Sequence, residues 1–334
     1  MHRPTLEDVA RAAGVSRATV SRVVRGDVGT ATRTIERVER AVRELGYVPN
    51  SAARVLASGR PNTIAIVVPE PDERIFSDPF FGLATSGVSE RISGTDMQLV
   101  MAFAPTSGRP TATIQFLLAG GVAGVIVMSH HRSDGLTRAA LELPLPTVFL
   151  GAPLLNGDSE PARAHVVDTD NEHGGRIAGD RLAEVGVRNP ATITGPMDMH
   201  AAVARLDGWR EAMGQAGLSF STFEGDFTEE SGRLGVATLL DRDPGIDGIF
   251  AASDLMAVGA FKELERRGIT PGREVRLIGF DDFAAADALG LTTVRNPAVD
   301  LGRQAVAMLT ELITTGEAEE SRVLPVELVV RETA

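Results

Sequence analysis

The chain has 334 residues and no cysteine, which excludes a small disulfide-stapled scaffold, thiolate metal sites and cysteine nucleophiles. Apolar residues make up 43% and charged residues 23%, and no apolar run approaches the roughly 18–20 residues of a bilayer span, so membrane and disordered classes drop out. The net charge of −12 divides unevenly: residues 1–60 hold eleven arginines against six acidic residues, while the remainder balances at −17, a basic head that attracts phosphate ahead of an acidic body that repels it.

In chain order, Thr5 is placed to cap a helix running to Ala13, with Glu7 and Asp8 in the first turn where the helix dipole favours anions. Gly14 supplies a turn, and a second helix runs from about Ser16 to Arg25. A third covers Thr32 to Leu45, with Ile35, Val38, Ala41, Val42 and Leu45 on one face, and Gly46 ends it. After the break at Pro49, Asn50 can cap one more short helix, Ser51 to about Ser58.

From residue 62 the pattern changes to apolar strands alternating with helices. The strand candidates are Ile64–Pro69, Met97–Phe103, Gly124–Ser129, Pro146–Leu150, His165–Asp168, Ala191–Thr194, Ile246–Ala252 and Val275–Gly279. Leu291–Arg295 and Val323–Val330 look like late strands that cross between lobes or pair at an edge. Such order predicts an α/β body of two doubly wound parallel-sheet lobes behind an all-α head. The N-terminus has acidic residues where an export signal needs an apolar stretch, so a cytoplasmic location is expected.

The strongest local signal lies at residues 5–26, TLEDVARAAGVSRATVSRVVRG. A helix-turn-helix needs a small residue where its helices cross, a tight turn and an apolar residue pointing back; Ala10, Gly14 and Val20 meet these needs. The second helix then buries Val20, Val23 and Val24 and exposes Arg17, Ala18, Ser21, Arg22 and Arg25. A plain three-helix bundle is the alternative, and the local positive charge argues against it.

Over its whole length the chain resembles the LacI/GalR (lactose/galactose repressor) family of bacterial transcription regulators. The resemblance is carried by the segment just quoted, ELGYVPN at 44–50, ARVLA at 53–57, Asp170-Asn171, RLDGW at 205–209, Ser253-Asp254, GFDD at 279–282 and LTTVRNP at 291–297. It implies a helix-turn-helix domain at 1–49, a hinge helix and linker at 50–61, and a ligand-binding and dimerisation domain at 62–334. Its lobes would span about 62–162 plus 293–321, and about 163–292 plus 322–334. By the same resemblance Arg17, Ala18 and Arg22 face base edges in the major groove, while Thr5, Ser16, Ser21, Thr34 and Asn50 bond phosphates. Ala53 and Leu56 belong to a hinge helix in the minor groove, where the leucine wedges a base step apart. Tyr47 either contacts DNA or packs on the third helix.

The implied body is a periplasmic-binding-protein-like clamp with a small-molecule effector, most naturally a sugar, in its cleft. Arg205 corresponds to the family's effector-binding arginine and Asp281 to its carboxylate. Ser253 sits in a loop facing the cleft, Phe227 matches a stacking aromatic of some members, and Phe76, Asp78 and Phe80 follow the first strand. Where some sugar-binding relatives carry an aspartate this chain has Gly151, so the sugar stays unnamed, and a nucleoside or phosphosugar is the alternative effector. The expected partners are a pseudo-palindromic DNA operator and a second copy of the chain, with no cofactor, metal or membrane. No leucine heptads follow Val330 that would make a tetramer. An enzyme is disfavoured: the chain lacks a dinucleotide glycine motif, a P-loop and a nucleophile elbow, and its histidines (2, 130, 131, 165, 173, 200) include no i, i+4 pair. A transport binding protein shares the body but not the head.

Overall fold

The computed structural model describes residues 4–25, 29–47, 61–104, 111–132, 135–154 and 164–334. Two compact units emerge, Met1–Pro61 and Asn62–Ala334. Of the expected DNA contacts, Asn50, Ala53 and Leu56 lie outside the described residues, and of Arg25 only the backbone is described.

The first unit consists of α1 (Leu6–Ala13), α2 (Arg17–Arg25) and α3 (Thr32–Leu45). Thr5 and Asp8 form a capping box: the Asp8 N–H donates to Thr5 Oγ1 at 3.3 Å and the Thr5 N–H to Asp8 Oδ2 at 2.9 Å. Gly14 ends α1 in the left-handed conformation (φ 61°), and an added Cβ would lie 2.7 Å from Arg37 Nη2. Position 14 therefore favours glycine for its dihedral, and a side chain there would also displace the guanidinium that bonds the Ala13 and Gly14 carbonyls across the turn. Val9, Val20 and Val38 are fully buried between the helices, and Tyr47 packs into the same core.

The second unit holds two six-stranded sheets. The first runs in the order β11 (Ser321–Leu324), β5 (His165–Thr169), β4 (Thr147–Leu150), β3 (Gly124–Met128), β1 (Thr63–Val68), β2 (Gln98–Phe103), all parallel. The second runs β12 (Glu327–Val329), β10 (Thr292–Arg295), β9 (Arg276–Asp281), β8 (Gly248–Ala251), β6 (Pro190–Thr194), β7 (Ser221–Glu224), with β12 alone antiparallel. Helices α4 (Asp72–Ser77), α5 (Pro79–Ile92), α6 (Thr111–Phe116, continued by a π-helical turn over Leu117–Gly121) and α7 (Gly135–Leu141) join the strands of the first sheet. α8 (Asn171–Glu184), α9 (His200–Ala216), α10 (Glu229–Arg242), α11 (Asp254–Arg266) and α12 (Ala284–Ala288) serve the second, and α13 (Ala298–Thr315) returns to pack on the first. Buried apolar strands such as β3, with every residue inside, fit sheets covered on both faces.

The topology moves the expected lobe boundaries. β5, expected in the second lobe, pairs with β4 in the first; β10, expected in the first, pairs with β9 in the second. The chain changes lobes after these strands, not before them, because each completes the ladder of the strand preceding it. The late apolar stretch at 323–330 is split at Pro325: β11 joins the first sheet and β12 the edge of the second. The three crossings lie side by side, tied by a bond from the Asp170 N–H to the Leu324 carbonyl (2.9 Å) and one between Thr169 Oγ1 and Asn296 Oδ1 (2.8 Å).

Candidate functional site

In open α/β sheets ligands sit beyond the carboxyl ends of the strands. Here both sheets aim those ends into one cleft, and a cavity of about 100 Å³ lies there, lined by Asp78, Phe80, Asp168, Asn171, Arg205, Phe227, Ser253 and Asp281 among others. Arg205 on α9 is its central cation. Its backbone is set by close packing of α8 on α9, where a Cβ on Gly175 would lie 1.9 Å from the Arg205 carbonyl oxygen. Its guanidinium stacks 3.5 Å from the centroid of Phe280, donates from Nε to Asn171 Oδ1 (2.9 Å) and from Nη1 to the Ala252 carbonyl (2.5 Å). Burial pulls Arg205 below its ordinary pKa, opposed by Asp281, Asp168, Asp78 and Asp254.

The carboxylates around it are differently held. Asp281 ends β9 at φ 124°, a conformation rare for a side-chain-bearing residue, and accepts from Asn296 Nδ2 at 3.1 Å. Burial pushes its pKa well above the usual carboxylate range, more than Arg205 pulls it down. Asp78 caps α5, accepting from the Phe80 N–H at 3.0 Å, and burial raises it too. Asp168 accepts from the Ala152 N–H at 2.9 Å and from Asn171 Nδ2 at 3.0 Å. Phe227 also takes a left-handed backbone (φ 66°), and its ring lies so close over Gly195 that a Cβ there would sit 2.0 Å from it. Left-handed conformations at Ser129, Phe227 and Asp281 thus gather around one cleft, where surrounding packing holds them. Farther out Arg74, which also lines the inner cavity, borders a second compartment of about 510 Å³. Such an arrangement offers acceptors, donors and an aromatic face to a polar ring. Among the described residues no group of three or more His, Asp or Glu is placed to hold a metal ion.

In the first unit, α2 turns Val20 into the core and leaves Arg17, Ala18 and Arg22 exposed along one face, with Ser21 half-buried. Arg17 is 3.6 Å from Glu7, an exposed pair that costs little to break. Thr5 and Ser16 are engaged in capping, the Ser16 hydroxyl accepting from the Thr19 N–H at 3.1 Å, and Thr34 is half-buried in the first turn of α3.

Comparison with known proteins decides the family. The model of bacterial regulatory proteins, lacI family, matches residues 5–50, and that of a periplasmic binding protein-like domain matches residues 180–334. The HTH-type transcriptional regulator CelR of Thermobifida fusca is 41% identical over 99% of this chain and 98% of its own length. The chain belongs to the LacI family. The ribose operon repressor of Escherichia coli K12 is 29% identical over 95% of this chain and 96% of its own. Among solved structures, a CelR–cellobiose complex aligns at a TM-score of 0.77 with 40% identity, covering 99% of this chain and 100% of that one. The lac repressor dimer bound to operator and the anti-inducer ONPF aligns at 0.87 with 26% identity and 99% coverage of both. Like its LacI-family relatives, the chain is a DNA-binding transcriptional regulator, and no helix among its described residues is long and apolar enough to cross a membrane.

Of the effector residues expected in this LacI-family body, Asp78, Phe80, Arg205, Phe227, Ser253 and Asp281 meet at the inner cavity. Ser253 is also the N-cap of α11, accepting from the Met256 N–H at 3.3 Å. Phe76 does not join them. It is 75% exposed and packs edge-on against Phe103, because α4 turns Ile75 and Arg74 inward and Phe76 out. Sequence reasoning missed Arg74, Asp168, Asn171, His200 and Asn296 as cavity residues. Asn171 and Asn296 stood in the quoted Asp170-Asn171 and LTTVRNP segments, a signal of position without a role; Asp168 and His200 carried none.

Proposed function

We propose that the protein is a repressor controlled allosterically by a neutral sugar, with two copies of α2 reading the halves of a pseudo-palindromic operator. The observation that carries the effector assignment is Arg205, buried at 6% exposure among carboxylates and beside aromatic rings at the end of both sheets. A sugar presents vicinal hydroxyls that donate to Asp78 and Asp281 and accept from the guanidinium, and an apolar ring face that suits Phe80 or Phe227. The whole-length match to CelR, solved with cellobiose, supports a gluco-disaccharide, one ring in the inner cavity and the second reaching the outer compartment past Arg74. The carboxylates of that compartment, Glu70, Glu73, Asp198 and Asp226, oppose a phosphosugar.

On the head, Arg22 and Arg17 are suited to guanine edges, whose two acceptors match a guanidinium, and Ala18 to a thymine methyl. The test is calorimetric titration of the purified chain with cellobiose, glucose, ribose and glucose 6-phosphate, combined with binding to fragments of its own genome. Cellobiose is expected to bind and to change affinity for one preferred fragment. Binding of the phosphosugar alone, or no fragment preferred over random competitor with or without sugar, overturns this reading.

A further inference from the structure

We propose that His131 is the positioning residue of the cleft mouth, a doubly protonated imidazole that ties the two lobes together over the effector site and makes effector affinity depend on pH. The inference rests on the reading of the cleft as the effector site and adds a residue which the sequence pattern does not single out.

His131 follows β3 in the first lobe. Its Nδ1 lies 2.8 Å from Oδ1 of Asp198, which follows β6 in the second lobe, and its Nε2 lies 3.2 Å from Oε1 of Glu70, which follows β1. The next residue doubles the link, the Arg132 N–H donating to the Asp198 carbonyl at 2.9 Å. A neutral imidazole carries one N–H, and an ionised carboxylate only accepts, so the ring can donate to both partners only as imidazolium. Glu70 is held in place to receive it: buried at 3% exposure, it pairs with Arg74 at 3.1 Å and accepts from the Ser129 hydroxyl at 2.5 Å. Burial pushes Glu70 up, but His131, Arg74 and Ser129 together hold it below the ordinary carboxylate value. His131 is raised by Glu70 first and by Asp198 next, against its own burial.

The charged groups facing this point are Glu70, Glu73 and Arg74 from the segment after β1, Arg132 beside the ring, Asp198 after β6 and Asp226 after β7. Four carboxylates against two guanidinium groups favour the charged ring. A second histidine repeats the pairing with the lobes exchanged: His200 on α9 lies 3.4 Å from Asp168 on β5, and is raised by that carboxylate.

For a histidine raised by its partners, the closed form gains its full advantage below the open-state pKa, near the ordinary 6.5, and loses it as pH rises through the closed-state value. Each unit of difference between the two states is tenfold in the closure equilibrium. The experiment uses the full chain with cellobiose, titrated by calorimetry from about pH 6 to about pH 9, together with NMR of the imidazole nitrogens with and without saturating sugar. Wild-type affinity is expected to fall about tenfold or more across that range, and H131Q to bind at the weak, alkaline wild-type level throughout, with an unchanged melting midpoint at the alkaline end. Parallel pH profiles for wild type and H131Q, or a His131 ring titrating at or below its ordinary value with sugar bound as well as without it, overturn the proposal. If cellobiose binds at no pH while the ring titrates high and D198N lowers it, the sugar reading fails and the strut stands.

Discussion

Asp281 combines three unusual properties at one residue: a left-handed backbone at φ 124°, 8% exposure, and a carboxyl pushed up by burial beside a buried guanidinium. Exchange to asparagine keeps the shape and tolerates the dihedral, so Asp281→Asn tests the carboxylate alone. Burial pushes this carboxyl toward its neutral form, and a hydrogen bond between uncharged groups contributes about 0.5–1.5 kcal/mol, so cellobiose affinity is expected to drop roughly 2- to 10-fold. Affinity for operator DNA without sugar should be unchanged, and calorimetry beside a DNA-binding titration checks both; an unaltered sugar affinity removes Asp281 from the site. The pattern of legibility at this scale has a physical basis. Asp281 was named through the family resemblance, and Ser253 was readable also because it follows a strand whose carboxyl end faces the cleft. Phe76 was not, because a six-residue helix has too few turns to reveal its buried face, and Ile75 rather than Phe76 points inward. His131 and Asp198 lie 67 positions apart, and only the fold brings them together.

At the scale of elements, the second unit depends on helix pairs that approach backbone to backbone. Gly175 and Gly208 face each other's helices, a Cβ on either falling within 2 Å of a carbonyl oxygen, so α8 and α9 approach backbone to backbone there because neither position carries a side chain. Gly175→Ala is expected to force the helices apart, cost about 1–3 kcal/mol as an overpacked contact, and carry Arg205 with it. Gly214, near the end of the same α9, meets nothing within 4 Å of an added Cβ. Gly214→Ala is therefore expected to stabilise by about 0.4–1 kcal/mol. Urea unfolding of the two variants checks the opposite signs, and equal effects would mean that helix propensity, not contact, governs α9. The elements themselves were largely legible, since buried parallel strands read as apolar runs. β7 was not: Ser221–Glu224 is a half-buried edge strand of mixed polarity, indistinguishable from a loop by composition. The lobe boundaries were equally hidden, because the strands on either side of each crossing are alike.

For the whole molecule, the consequence of joining a DNA-binding head to a body with the proposed sugar site is thermodynamic. If cellobiose filling both clefts of the proposed dimer changes operator affinity by some factor, operator must change the product of the two cellobiose affinities by the same factor, couplings commonly being about 5–150-fold in allosteric systems. The two factors are separable here because the two ligands differ in charge. DNA affinity falls steeply with salt through counterion release, and the basic head, with eleven arginines against six acidic residues, supplies that term while the body at −17 opposes it. A neutral sugar releases no counterions, so its affinity for the chain without DNA is expected to vary little between low and moderate salt. With operator saturating at each salt, the shift in cellobiose affinity then measures the coupling alone. Calorimetric titration of cellobiose with and without operator, set beside operator titration with and without saturating cellobiose at one ionic strength, should return an operator factor equal to the square of the per-site cellobiose factor, because one operator meets two equivalent clefts in the proposed dimer. A departure from that square would mean that DNA and sugar select different oligomers of the chain, since a single dimer with one operator and two equivalent linked clefts cannot violate reciprocity.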